Sequence, residues 1–82
     1  MNPNHPIQYT YAGRRLRVAR ERVGLSRAEV ADAINRHPNT ITLYELDYSR
    51  PPVDILVALA DALGVHVEEF FVPAEDDEAV PA

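Results

Sequence analysis

Residues 26–45, SRAEVADAINRHPNTITLYE, carry two helix starts and one helix stop at fixed spacing, and the fold follows from reading them. Ser26 and Glu29 stand three apart, so the serine oxygen accepts from the Glu29 backbone N–H while the glutamate reaches back to the N–H of Ser26, a capping box. Pro38 marks the second start. Proline is tolerated at the first helical position, clashes inside a helix, and drives the preceding residue out of the α region, which makes His37 the N-cap. Asn35 falls where the earlier helix must stop, and asparagine readily accepts the left-handed conformation of a C′ position. The stretch is predicted to be a helix-turn-helix.

Apolar spacing then sets the faces. Val30, Ala31 and Ile34 form one buried stripe, and Ile41 and Tyr44, at i, i+3, form the other. At about 100° per residue, Asn39 and Leu43 project almost opposite Ile41, with Thr40 and Thr42 on the flanks. A helix held by one face and showing amide, hydroxyl and methyl groups on the other suits a DNA major groove. There asparagine pairs with adenine, threonine donates or accepts, and leucine meets a thymine methyl.

On these residues the run from Gly13 to Phe71, which covers 59 of 82 positions, resembles the Cro/C1-type (xenobiotic-response-element) helix-turn-helix family. Leu25-Ser26, Ala31, Ile41, Glu45, Pro51 and Leu63-Gly64-Val65 carry the likeness as a set. The resemblance implies an all-α fold, a five-helix lambda-repressor-like helix-turn-helix domain that binds operator DNA as a dimer. It also implies a partly buried ion pair between Arg20 and Glu45. In the family the position of Arg27 usually holds a glutamine that bonds a phosphate, and an arginine keeps that contact available. Arg36, in the turn, reaches a phosphate or points to solvent. The family commonly has glycine where this chain has Asp47, which tolerates left-handed geometry but brings an anion toward the DNA backbone. Arg50 lies in the loop that skims the sugar-phosphate chain.

Length and charge bound the rest. Eighty-two residues make one domain, and the absence of cysteine excludes disulfides, thiolate nucleophiles and cysteine metal sites. The longest apolar run, Ile55–Ala60, is far too short to span a bilayer, and no signal pattern opens the chain, so a cytoplasmic protein with no membrane partner is expected. The net charge of −5 is unevenly spread. Eight arginines between Arg14 and Arg50 face five carboxylates, a local +3, whereas residues from Pro51 onward hold eight carboxylates and no base. Phosphate binding depends on the local patch.

In chain order, residues 1–9 are expected to form a flexible arm, 10–72 the domain, and 73–82 an acidic disordered tail. Thr10 caps a first helix running to about Val23, with Leu16, Ala19 and Val23 inward and Gly24 as its stop. After Pro51-Pro52 a fourth helix, Val53 to Leu63, buries Leu56, Leu59, Ala60 and Leu63 before Gly64. A fifth, Val67 to Phe71, starts from His66 and Glu69. Phe70 packs inward, while Phe71 and Val72 either close the core or supply a dimer contact.

Nothing in the sequence supports catalysis, a cofactor, a metal site or a small-molecule ligand. His5, His37 and His66 lack metal-ligand spacing, and the three glycines sit singly at helix ends. The expected function is a sequence-specific regulator of double-stranded DNA, a homodimer at least on its operator. His37, Asn39, Thr40, Thr42 and Leu43 address base edges, and Arg27, Arg36 and Arg50 address phosphates. A competing reading keeps the fold but turns Leu43 and Leu46 toward protein, as an antitoxin or antirepressor would.

Overall fold

The capping box forms as its spacing requires. In the computed structural model, which describes residues 7–75, Ser26 Oγ accepts from the Glu29 N–H at 3.0 Å and Glu29 Oε1 accepts from the Ser26 N–H at 2.8 Å. Strand β1 (Tyr9–Tyr11) is followed by four α-helices: α1 (Gly13–Arg22), α2 (Arg27–Ala33), α3 (Pro38–Glu45) and α4 (Val53–Leu63). A 3-10 turn over Val67–Phe70 then leads into β2 (Phe71–Pro73).

All four helices close by the same device. Gly24, Asn35, Asp47 and Gly64 take φ of 76°, 57°, 63° and 68°. This left-handed step lets the next N–H reach back to the last free carbonyls: Leu25 to Arg20, Arg36 to Ala31, Tyr48 to Leu43 and Val65 to Ala60. Two of the closures use asparagine and aspartate, the non-glycine residues that tolerate this conformation best.

Each helical element sends one large side chain to the centre. Leu16 of α1, Val30 of α2, Ile41 of α3, Leu59 of α4 and Phe70 of the 3-10 turn are all fully buried. Tyr11, Ala19, Ala31, Ile34, Tyr44, Ile55, Leu56, Ala60 and Leu63 complete this core, so the inward stripes expected for the last three α-helices stand. Leu25 packs against them from the edge.

The ends of the domain differ from expectation. Thr10 does not cap α1; it lies in β1, paired antiparallel with Val72, while Tyr9 pairs with Pro73 and Tyr11 with Phe71. The Tyr-Thr-Tyr run has strong β preference, and its partner is a Phe-Val pair of the same kind. Helix α1 therefore starts at Gly13, and it ends at Arg22, which leaves Val23 outside the core and 47% exposed. The expected fifth helix is one 3-10 turn in which Glu69 accepts from the His66 N–H at 3.3 Å. It yields at once to β2, whose Pro73 has no N–H with which to continue a helix. Among the described residues the fold is thus four α-helices closed by a two-stranded ribbon, where five helices were expected. Phe71 packs its ring edge-on to Tyr11, with centroids 6.3 Å apart. The ribbon takes in Tyr9 and Pro73, and the Ala74 N–H donates to Gln8 O at 2.8 Å, so pairing runs past both ends of the 10–72 span. Residues 1–6 and 76–82, most of the expected arm and acidic tail, lie outside the described residues.

Candidate nucleic-acid interface

Helix α3 is held from one side. Ile41, Tyr44 and Glu45 are buried, whereas His37, Pro38, Asn39 and Leu43 are exposed and Thr40 and Thr42 are half-buried. Of the five residues expected to address base edges, His37 thus stands at the start of the helix, Asn39 and Leu43 lie on its outer face, and Thr40 and Thr42 lie on its flanks. His37 serves as the N-cap through its ring: Nδ1 accepts from the Asn39 N–H at 3.0 Å. With Nδ1 committed, the neutral imidazole carries its proton on Nε2 and offers only a donor outward. The Thr42 hydroxyl leans back toward Pro38 O at 3.5 Å, one turn earlier in the same helix.

The three expected phosphate contacts are placed differently. Arg50 is exposed on the loop after α3, without an ion pair among the described residues. Arg36 is exposed too, and its Nη1 donates to Asn35 O at 2.9 Å, across the turn between α2 and α3. Arg27, at the first position of α2, is only half-exposed because its Nε donates to Glu45 Oε1 at 3.0 Å.

Glu45 is the hub of this region. Its side chain has no exposure, and it accepts from Arg27 and twice from Arg20, once at Nε and once at Nη2 (3.1 Å). Arg20 also donates from Nη1 to Leu25 O at 2.9 Å. The expected Arg20–Glu45 pair is present and buried, with a second arginine added to it. The hydrogen bond to Glu45 holds the Arg20 guanidinium above its usual pKa, outweighing the opposing effect of burial.

A second junction was not foreseen from the sequence. Ala12, the N-cap of α1, has no polar side chain, and the missing acceptor comes from Asp47, whose Oδ1 accepts from the Gly13 N–H at 2.8 Å. The anion expected near the DNA backbone is therefore turned onto the start of α1. The Tyr11 hydroxyl donates to Tyr44 O at 2.9 Å, in the last turn of α3. Burial raises the Tyr11 pKa, and the carboxylates of Asp47 and Glu45 raise it further. Gly13 lies so close that a Cβ there would stand 2.3 Å from Tyr44 O and 2.5 Å from Glu45 O. Its place as the first residue of an arginine-rich helix, 31 residues from Tyr44 in sequence, gave no local sign of this approach.

Among the described residues no cluster of His, Cys, Asp or Glu is arranged to hold a metal ion, and no helix is long and apolar enough to cross a membrane. The arrangement offers a polar, hydrogen-bonding helix face with guanidinium groups on the adjoining segments.

Residues 12–70 match a family described as a helix-turn-helix domain. Over 56 residues the chain is 34% identical to the HTH-type transcriptional regulator ImmR of Bacillus subtilis (strain 168), a match that takes in 68% of this chain and 44% of ImmR. The chain thus spans less than half the length of that relative. Its fold is similar to that of the P22 c2 repressor protein in complex with synthetic operator 9T, with a TM-score of 0.69 and 21% identity over 74% of this chain and 92% of that one. It is similar also to the restriction-modification controller protein C.AhdI from Aeromonas hydrophila, with a TM-score of 0.67 and 26% identity over 71% and 88% of the two chains.

Proposed function

The chain belongs to the Cro/C1-type helix-turn-helix family, and from that premise we propose that it is a sequence-specific, double-stranded DNA-binding transcriptional regulator acting by operator occupancy. One observation carries this reading. Helix α3 is anchored by Ile41, Tyr44 and Glu45 and leaves Asn39 and Leu43 exposed on the opposite side, with His37 at its start. In the major groove Asn39 pairs with an adenine edge, Thr40 and Thr42 supply hydroxyls, Leu43 meets a thymine methyl, and His37 donates from Nε2 to a base or phosphate acceptor. Arg27, Arg36 and Arg50 hold the backbone on either side. Two copies read half-sites about 34 Å apart as a homodimer in the cytoplasm, and control comes from how much protein is present to occupy the site.

Selecting bound fragments from the source genome at moderate salt tests the reading. Enrichment of one palindrome, with affinity that falls linearly in log salt, is the expected result. Recovery of no sequence, or of DNA whose affinity ignores salt, would overturn it.

A second reading draws on the apolar groups beside the same face. Leu46 and Tyr48 are 54% and 77% exposed, next to Leu43, and the chain as a whole carries −5. They suit an antitoxin- or antirepressor-like module that binds protein. Such a contact would be nearly indifferent to salt, which separates it from phosphate binding in the same titration.

A further inference from the structure

The cluster around Glu45 holds more positive charge than its carboxylate can neutralise. Arg20 alone satisfies the buried acid, donating to both of its oxygens. Arg27 adds a second guanidinium through Nε at 3.0 Å, so one carboxylate carries two cations. The other acid near Arg20 is Glu21, and it is taken by Arg17 at 3.2 Å. The group is left with a net positive charge at the first residue of α2.

The geometry of the surplus arginine says where that charge is directed. Glu45 is wholly buried, whereas the Arg27 side chain is 39% exposed, so the guanidinium runs from the interior to the surface. Its Nε is used on the inner side. The two Nη groups form no further hydrogen bond among the described residues, and they constitute the fork that matches two oxygens of a phosphate.

We propose that Glu45 is a positioning residue for nucleic-acid binding: besides closing the core with Arg20, it presets Arg27 as a bidentate fork for a DNA phosphate. This inference rests on the DNA-binding reading and names how one of its contacts is made. A free surface arginine must give up its rotamer freedom when it meets a phosphate. Arg27 has already given it up to Glu45. The fork stands in place before DNA arrives, and the carboxylate behind it leaves the outer guanidinium edge for the phosphate.

Charge and orientation are separated by changing Arg27, which leaves the buried Arg20–Glu45 pair intact. The probe is a duplex selected by the wild-type protein from a random-sequence library, titrated at several salt concentrations. Arg27→Ala is expected to bind about tenfold more weakly, with the salt slope reduced by about one charge. Arg27→Lys keeps the charge but has no planar fork to share between carboxylate and phosphate, and it is expected to fall within about threefold of the alanine variant. Thermal midpoints of both variants, measured without DNA, distinguish a purely structural pair, which would lower stability and leave the slope unchanged. Lysine binding as tightly as arginine while alanine loses affinity would show that charge suffices, and would overturn the positioning role. Normal affinity and slope in both variants would overturn it as well, with the DNA-binding reading intact. Failure of the wild type to bind any duplex in a salt-dependent way would remove that broader reading together with this one.

Discussion

Two regions of this small domain are built on opposite plans. The α2–turn–α3 unit is local: its cap is made by Ser26 and Glu29, its turn by Asn35, and its second start by His37 and Pro38, each acting over two to five residues. The junction where α1 and the ribbon meet the end of α3 is remote. There Tyr11 reaches Tyr44, Gly13 reaches Asp47, and Arg20 reaches Glu45, over 33, 34 and 25 residues. The first region presents the outer face, and the second determines how it is held. A helix that must insert into a groove needs both: a face fixed by short-range chemistry and an orientation fixed by the rest of the chain.

The largest expected effect breaks the remote region. Glu45→Ala strands two arginines, one of them buried, and removing one partner of a buried pair costs about 3–5 kcal/mol. For a domain of this size that is a large part of the total stability. Urea titration at neutral pH checks it, and a midpoint near wild type would mean that water relaxes into the space and solvates Arg20. Gly13→Ala comes next. Alanine is the better helix former by about 1 kcal/mol, but its Cβ would press on the carbonyls of Tyr44 and Glu45, which are backbone and cannot swing away. Overpacking wins, at about 3 kcal/mol, and the same titration measures it.

The outer face of α3 should respond in the opposite manner. Asn39 is exposed, and its backbone N–H, which completes the His37 cap, survives a change of side chain. Asn39→Ala is expected to leave the unfolding midpoint almost unmoved and to relax discrimination at one base pair by about 1–3 kcal/mol. Competition between the selected duplex and single-base variants reads this out. Equal losses on every sequence would move Asn39 to the backbone contacts.

The same contrast explains what could be read from the sequence. Short-range signals were legible because the responsible atoms are neighbours: the left-handed residue at 35, the cap at 37 and the inward pair Ile41 and Tyr44 all follow from spacing. Thr10 misled for the same reason, since a threonine before a helical pattern is a good cap unless a strand partner 62 residues later claims it. Asp47 was legible as a turn residue, because its φ is a local property, and illegible as the cap of α1. For Arg27 the position beside the interface was legible, but its bond to Glu45, 18 residues away, was not. The Arg20–Glu45 pair is more remote still, at 25 residues, and only likeness to a family pointed to it.

Tyr11 gives the remote junction a limit on the alkaline side. Its hydroxyl donates to Tyr44 O, so Tyr11→Phe should cost about 1 kcal/mol at neutral pH. Burial and the nearby carboxylates hold the folded-state pKa above the ordinary value of 10. The neutral phenol therefore stabilises fully below pH 10, and this contribution is lost as pH rises toward the folded-state value. Between pH 8 and about pH 11 the wild type should lose more stability than the phenylalanine variant, the difference isolating Tyr11 from the other tyrosines. Parallel curves would show that the hydroxyl is solvated and the junction open.

The local unit has its limit on the acid side, and the effect is the smallest. Glu29 accepts from the Ser26 backbone N–H, which is the main cause of its lowered pKa, with the Ser26 side chain second. A folded-state value below the ordinary 4.5 means that the carboxylate stabilises fully above pH 4.5 and loses this contribution as pH falls through the folded-state value. The group is fully exposed, so water and salt screen most of it. Glu29→Gln keeps a carbonyl acceptor for the Ser26 N–H but removes the charge. The small advantage of the wild type over the glutamine variant should therefore vanish between pH 6 and about pH 3, whereas the advantage of wild type over Ser26→Ala should persist, because the serine oxygen still accepts from the Glu29 N–H at either pH. A glutamine variant equal to wild type throughout would place the whole of the α2 cap on that one oxygen.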